Sequence, residues 1–389
     1  MHGVGGVNNM ITKLKIKNFR SLRHIDLPLN SLTVLCGLNG SGKSNIVDSI
    51  RFVRDSLKFG LKEAIAKRGG FKNILCKTNS ENEIQIHLEI SKSELAGFYS
   101  FSIELQGVEY NVKWEKLSIQ IKNNSKDYDS IYFDSTRKTL TAEYNGKTSP
   151  IIYPDNIINN HDLAFPTLRT ISNELNDIFQ LITNCSFYNI IPDLLRGPQV
   201  LTEPYPLDEQ GKNLCSTLKY LQEKKDNTSL LNSLKAAINN FNNYSVEPIG
   251  EYVITHMHYL PDRSFELSQE SEGTLKLLGL LTAMNQFVIK PYSLFIVEEP
   301  ELNIYPETTH IIGEAIKELN MYNQVIITSH SPDLIDILPV DSIKIVQKDN
   351  DVTIVGNIIK RQREAISEQL FSAGEIMRME GFAIDEEDL

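Results

Sequence analysis

What this chain lacks narrows its class before any motif is read. No run of about eighteen apolar residues occurs in its 389 residues, so no stretch reads as a membrane-spanning helix. The opening MHGVGGVNNM has neither the basic nor the apolar region of a signal peptide, and residues 1–10 read as a loose leader ahead of the patterned chain. A cytoplasmic protein is expected. Cysteine is scarce: Cys36, Cys76, Cys185 and Cys215 form no C-x-x-C pair, which argues against a zinc site and a disulfide framework and for reduced packing residues. Positive charge is in deficit, with a net charge of −11 and a pI near 5.3. That balance argues against a surface coated for non-specific DNA binding. No internal repeat or low-complexity tract is apparent, and 41% apolar content supports a substantial core.

Basic residues do gather locally. Lys58, Lys62, Lys67, Arg68, Lys72 and Lys77 stand against the single acid Glu63, and ITKLKIKNFRSLRH adds Lys13, Lys15, Lys17, Arg20 and Arg23. Without interleaved aromatics, such runs read first as solvated faces and only second as a nucleic-acid contact.

The most specific stretch is GLNGSGKSN, residues 37–45, in which Gly37, Gly42, Lys43 and Ser44 satisfy the phosphate-loop pattern G-x-x-x-x-G-K-[ST]. The β-rich run SLTVLCG precedes it, and KSNIVDSIRFVRDSL follows with Ile46, Val47, Ile50, Phe52, Val53 and Leu57 at mostly helical spacing. Strand, glycine loop and helix are the context this motif needs. Glycines let consecutive backbone N–H groups turn inward around phosphates at the positive end of the helix. On this reading Gly37, Asn39, Gly40, Ser41, Gly42, Lys43, Ser44 and Asn45 cradle the nucleotide. Lys43 supplies the cation for the β- and γ-phosphates, and Ser44 a hydroxyl for Mg²⁺.

Elsewhere, ITKLKIKNFRSLRHIDLPL reads as an edge strand turning into a second strand, and ENEIQIHLEIS, GFYSFSIELQG and EYNVKWEKLSIQI alternate as an antiparallel meander. Periodicity is lost from Thr141 to Asp162, which reads as a long loop. Residues 163–245 read as helical, interrupted by PDLLRGPQVLTEPYPLD. Strands return at SVEPIGEYVITHMHYLPD, YSLFIVEEP and NQVIITSHS, with helical patterns between the last three runs, implying a mainly parallel α/β core. From Arg361 the tail reads as an amphipathic helix ending in acidic DEEDL, suited to docking a partner or its own core.

Two strand ends carry further chemistry. SLFIVEEPE delivers Glu298 and Glu299 to the end of a buried strand, where Glu298 suits Mg²⁺ or its water shell and Glu299 suits a general base on the attacking water. QVIITSHSPD ends a second strand at His330, placed to contact a γ-phosphate.

The order NFRSL, GLNGSGKSN, ESEGT, VEEPEL, TSHSP resembles the ABC-type ATPases of the SMC, RecF and OLD group over residues 11 to 335. The resemblance implies an α/β fold: an ABC-type P-loop NTPase with a mixed β-sheet core, an antiparallel β-subdomain and a helical insertion lobe. It places core segments at 11–90 and 256–360, the insertion at 91–255 and a tail at 361–389. It also implies that Ser271, Glu272, Gly273 and Thr274 form the signature loop. Ser271, Gly273 and Thr274 would then act in trans on the partner's nucleotide, with two ATP molecules sandwiched in a homodimer. Catalysis falls to Glu299, His330 and Lys43, and metal contact to Ser44 and Glu298, with Gln85 as the candidate Q-loop glutamine. The wider ABC group has aspartate where Glu298 stands, whereas glutamate there is similar to the OLD branch, and Tyr305 stands where relatives often have histidine. OLD proteins continue into a metal-dependent nuclease domain, and too little chain follows His330 here for one. The expectation is therefore a standalone ATP- and Mg²⁺-dependent switch, working in anti-phage defence with a separate nuclease or toxin effector. A DNA-binding repair ATPase of the RecF type is the alternative.

Overall fold

A computed structural model of the chain describes residues 9–79, 81–122, 128–136, 139–144, 147–151, 160–289, 294–385 and 387. It falls into two compact units. One comprises Met1–Cys185, Lys344–Ile359 and Ala383–Leu389, and the other Ser186–Ile343 and Lys360–Phe382.

The first unit opens with β1 (Asn9–Phe19), β2 (Leu22–Pro28), β3 (Leu32–Cys36), α1 (Lys43–Phe59), α2 (Leu61–Ala66) and α3 (Phe71–Ile74). It continues through β4 (Glu83–Lys92), β5 (Leu95–Gln106), β6 (Glu109–Lys122), β7 (Tyr128–Asp134), β8 (Thr139–Tyr144), β9 (Lys147–Ile151), α4 (Phe165–Leu168) and α5 (Asn173–Thr183). Eight of these strands form one sheet in the order β2-β1-β4-β5-β6-β7-β8-β9, antiparallel throughout. Alternation is the cause: Ile84, Ile86, Leu88 and Ile90 of β4 are buried while the residues between them turn to the other face. Phe52 of α1 packs against this sheet, its ring 5.6 Å from that of Phe19 and 6.4 Å from that of Phe101.

Three expectations need correction here. The first strand is not an edge: β1 lies between β2 and β4, and β2 is the outer strand. The segment expected as a loop from Thr141 to Asp162 contains part of β8 and all of β9, because β8 pairs with β7 and β9 with β8, continuing the meander through polar sequence. Residues 145–146 and 152–159 of that segment lie outside the described residues, as do residues 1–8 of the expected leader. Arg68 is not part of a solvated face. Its guanidinium donates to the Asp48 carboxylate at 2.8 Å and to Asp55 at 3.3 Å, lies 5.2 Å from the Phe52 ring centroid, and is 5% exposed. Removing one member of such a buried pair costs several kcal/mol, so Arg68 is structural.

The second unit holds β10 (Cys185–Tyr188), α6 (Pro192–Leu195), β11 (Gln199–Val200), α7 (Leu214–Lys224), α8 (Thr228–Ala237), β12 (Phe241–Ile249), β13 (Tyr252–Tyr259) and β14 (Arg263–Glu266). It goes on with α9 (Glu272–Ile289), β15 (Leu294–Glu298), α10 (Thr309–Asn320), β16 (Gln324–Ser329) and α11 (Pro332–Ile337). β15 lies between β10 and β16, parallel to β16 with Glu298 opposite Thr328. Leu294 to Val297 and Val325 to Ser329 are buried, as expected of a strand covered on both faces. Tyr188, Phe287 and Phe295 make an aromatic cluster beneath β15, with centroids 4.9 to 5.9 Å apart. The region expected as helical from 163 to 245 therefore also contains β10, β11 and part of β12.

β17 (Ile343–Asp349) and β18 (Val352–Gly356) return the chain to the first unit, where β3 neighbours β17 and β17 pairs antiparallel with β18. The tail is two helices rather than one, α12 (Lys360–Ser367) and α13 (Ala373–Met379), both in the second unit. A capping box at Ser372 and Glu375 starts the second helix afresh. All four cysteines are buried, and none forms a disulfide. Among the described residues no helix is long and apolar enough to cross a membrane.

One buried acid in the first unit makes a testable feature. Glu115 of β6 accepts hydrogen bonds from Tyr99 Oη at 2.7 Å, Ala164 N at 2.6 Å and Phe165 N at 3.1 Å. Burial pushes its carboxyl up from 4.5 to about 7, against the pull of those donors. The folded state thus holds this proton more tightly than the unfolded chain. The stability it contributes is complete below pH 4.5 and lost as pH rises towards 7, a change on the order of 3 kcal/mol. Denaturant melts across that window should show this loss in the native protein and its absence in Glu115→Gln.

Candidate nucleotide site

The loop between β3 and α1 has a shape only glycine permits. Gly40 and Gly42 adopt φ of 78° and 110°, in the left-handed region. A Cβ on Gly42 would overlap the Thr353 side chain of β18, and one on Gly37 the Val346 carbonyl of β17. α1 starts at Gly42 with no side-chain cap and no acid in its first turn, so the positive end of a seventeen-residue helix is left to an anion. Lys43 folds back over the loop, its Nζ donating to Gly37 O at 2.7 Å and Leu38 O at 3.1 Å. Asn39, Gly40 and Ser44 are exposed, whereas Ser41 is buried and its Oγ has no hydrogen-bond partner. A buried polar atom left without a partner calls for an explanation. A nucleotide phosphate fits this cradle, since it would take up both the orphaned hydroxyl and the uncapped N–H groups.

The loop is also held from behind by residues that the sequence motif does not include. Thr353 Oγ1 donates to Ser41 O at 2.9 Å, so Ser21 Oγ, 2.6 Å from Thr353 Oγ1, donates in its turn. Asn45 Nδ2 completes the relay by donating to Ser21 Oγ at 2.7 Å. Ser21 lies within the quoted NFRSL and could have been found there. Thr353 sits in an ordinary hairpin, and nothing local marks it.

In the second unit, Glu298 ends β15 and Glu299 takes φ of 46°, a left-handed conformation costing an acidic side chain roughly 1–3 kcal/mol. Three neighbours hold it there. The Glu299 N–H donates to Thr328 O at 3.0 Å and to Thr328 Oγ1 at 3.1 Å. Lys276 of α9 caps the turn, its Nζ reaching Glu299 O at 3.2 Å and Leu302 O at 2.8 Å. Burial pulls the Lys276 ammonium down, while the carboxylates of Glu301 and Glu299 pull it up. The Glu299 carboxylate faces His330, with Oε1 and Nδ1 3.3 Å apart. Glu301 fixes the histidine's backbone, accepting from Ser329 Oγ at 2.6 Å and His330 N at 3.2 Å. Lys276 and Glu301 escaped sequence reading, although a lone lysine in the apolar run TLKLLGLLTAM was a signal.

Ser271 caps α9, accepting from Thr274 N at 3.1 Å, and lies 2.9 Å from Thr274 Oγ1; Ser271 and Glu272 are exposed. A Cβ on Gly273 would stand 2.9 Å from Asn303 O, so the signature-like turn lies close to the acidic turn of its own chain. The structure therefore gathers residues 37–45 in one unit, and Ser271–Thr274, Glu298, Glu299 and His330 in the other. Gln85 lies on β4 of the eight-stranded sheet, where its amide donates to Glu83 Oε1 at 2.8 Å. Among the described residues no group of three His, Cys, Asp or Glu forms a metal cage. Ser44 and Glu298 are of the type that holds Mg²⁺, a cation that keeps most of its waters and relies on phosphates rather than an all-protein cage.

Residues 32–336 match the family model described as "AAA domain, putative AbiEii toxin, Type IV TA system", and the chain belongs to that family of ATPases. It is an ATPase of the ABC type in the SMC and OLD group. Among curated relatives it is 23% identical to the OLD nuclease of Thermus scotoductus, over 91% of this chain and 65% of that protein. It is 21% identical to Endonuclease GajA of Bacillus cereus, over 95% of this chain and 65% of the relative. It is 22% identical to the Retron Vc95 probable ATPase of Vibrio cholerae, over 85% and 72% respectively. The chain thus spans 65% of the length of the two nucleases. In fold it is similar to an SMC head solved with the C-winged helix domain of ScpA, with a TM-score of 0.52 and 16% identity over 91% of this chain and 99% of that one.

Thr353→Val keeps the shape and deletes the hydroxyl that ties Ser41 and Ser21 together. A buried hydrogen-bonded group of this kind is worth about 1–2 kcal/mol, so calorimetric titration should show ATP binding weakened roughly 5- to 30-fold.

Proposed function

We propose that this ATPase is a Mg²⁺-dependent switch which closes as a homodimer around two ATP molecules and reopens on hydrolysis. The observation that carries the reading is the uncapped α1 with the orphaned Ser41 Oγ, together with a turn in the second unit that presents Glu299 to His330. Bound MgATP supplies the phosphoanhydride. Lys43 leaves the Gly37 and Leu38 carbonyls to balance phosphate charge, and Ser44 and Glu298 are the residues that would hold Mg²⁺, which would neutralise charge on the phosphates. Glu299 takes the proton of the attacking water, and His330 orients that carboxylate and donates to the γ-phosphate. Ser271 and the Gly273 N–H, at the start of α9, serve the nucleotide of the partner copy.

Closing and opening in this way suits a sensor or scaffold that passes its state to a separate effector, a nuclease or toxin, in bacterial anti-phage defence. The names of the relatives, two nucleases and a retron ATPase, support that setting. Deleting the gene from its native locus should raise phage sensitivity; unchanged sensitivity ends the defence reading. A DNA-repair ATPase is less favoured, because the basic stretches are largely engaged. Lys13 pairs with Asp26 at 2.9 Å, Lys17 with Glu81 at 2.8 Å, and Arg68 is internal.

Glu299→Gln keeps the turn and removes the base. Turnover should fall by about 10²- to 10⁴-fold, while ATP should still drive the variant into a dimer detectable by light scattering. A variant that turns over normally, or stays monomeric with ATP, contradicts the proposed cycle.

A further inference from the structure

His330 is followed at once by α11, a helix of only six residues, Pro332–Ile337. A helix that short has little stability of its own, so its position is set by what grips it. Two neighbours do, each through a glycine. On one side Gly313 of α10 is buried so close to Ile337 that an added Cβ would lie 2.5 Å from Ile337 Cγ2. On the other, Gly374 of α13 is buried against the first turn of α11, where a Cβ would lie 2.5 Å from Pro332 O and overlap the Asp336 carboxylate.

The grip from α13 is polar as well as close. Gly374 N donates to Asp336 Oδ1, and Arg378 one turn later pairs with Asp333 and reaches Asp336 at 3.8 Å. Pro332, the residue that α13 crowds, is two positions from His330. The loop between them is tight, with Ser331 N donating to Ser329 Oγ at 3.0 Å and Ser331 Oγ capping Leu334 N. A displacement of α11 therefore passes into the His330 backbone with little slack to absorb it.

We propose that α13 is a brace for His330: the tail helix sets the place of α11, and through it the distance from His330 to the Glu299 carboxylate. Gly374 and Arg378 are positioning residues in this account. The tail is a route by which whatever engages residues 360–382 alters hydrolysis without touching nucleotide. The inference rests on the proposed role of His330 in turnover, but its geometry can be read independently.

The test compares Gly374→Ala, Arg378→Ala and Arg378→Lys in the full chain. Alanine is the better helix former, so Gly374→Ala should not weaken α13 itself, and any effect comes from the added methyl pressing on α11. We expect kcat for ATP to fall about tenfold in Gly374→Ala with KM within about twofold, the signature of a lost transition-state contact. Arg378→Ala should fall less, and Arg378→Lys should recover most of the loss. The ring resonances of His330, assigned by their disappearance in His330→Asn, should move in Gly374→Ala and Arg378→Ala. Unchanged kcat and unchanged His330 resonances in Gly374→Ala overturn the brace. Absence of turnover in the wild type would instead overturn the ATPase cycle, and the resonances would still decide the brace.

Discussion

A helix that begins without a cap leaves its first N–H groups to be satisfied from outside, and in this protein that requirement falls at the start of α1. Gly42 forgoes any side chain that could serve as a cap, and the first turn carries no acid to answer the helix dipole. Ser41 is buried beside it with an unmet hydroxyl. An anion would meet these demands together. Gly37 fits closely against Val346 and Gly42 against Thr353, so β17 and β18 hold the loop in a shape that any larger residue would break.

The second unit holds its strain by different means. Glu299 is kept in a left-handed conformation by Thr328 on one strand and Lys276 on a helix, and its carboxylate is turned to His330. Lys276 lies two residues beyond Thr274, so the helix that starts at the Ser271–Thr274 turn is also the one that caps the acidic turn. Burial disfavours the lysine's charge, and the nearby Glu301 and Glu299 carboxylates sustain it.

Much of this was legible in the sequence because the pattern of the candidate site is local. The spacing of Gly37, Gly42, Lys43 and Ser44 requires a strand before and a helix after, and both are present. Glu298, Glu299 and His330 were singled out for the same reason, each lying at or just past the end of an apolar strand. What escaped notice was nonlocal. Thr353 is 312 residues from Ser41, and no periodicity couples them. β8 and β9 were missed because their strand character comes from neighbours in the sheet rather than from their own polar sequence. Arg68 read as solvated because sequence cannot show that Asp48 and Asp55 wait a helix away. The break at Ser372 was marked by its capping residues and overlooked.

The measurement that bears most directly on the central claim is phosphate release from ATP by the purified chain at physiological salt, with Lys43→Ala as the blank and with duplex DNA added or withheld. The account predicts Mg²⁺-dependent turnover in the wild type, its loss in Lys43→Ala, and indifference to DNA. Turnover that survives Lys43→Ala would contradict the phosphate loop as the nucleotide site, and turnover that rises severalfold with DNA would replace the partner-coupled switch by a DNA-triggered one.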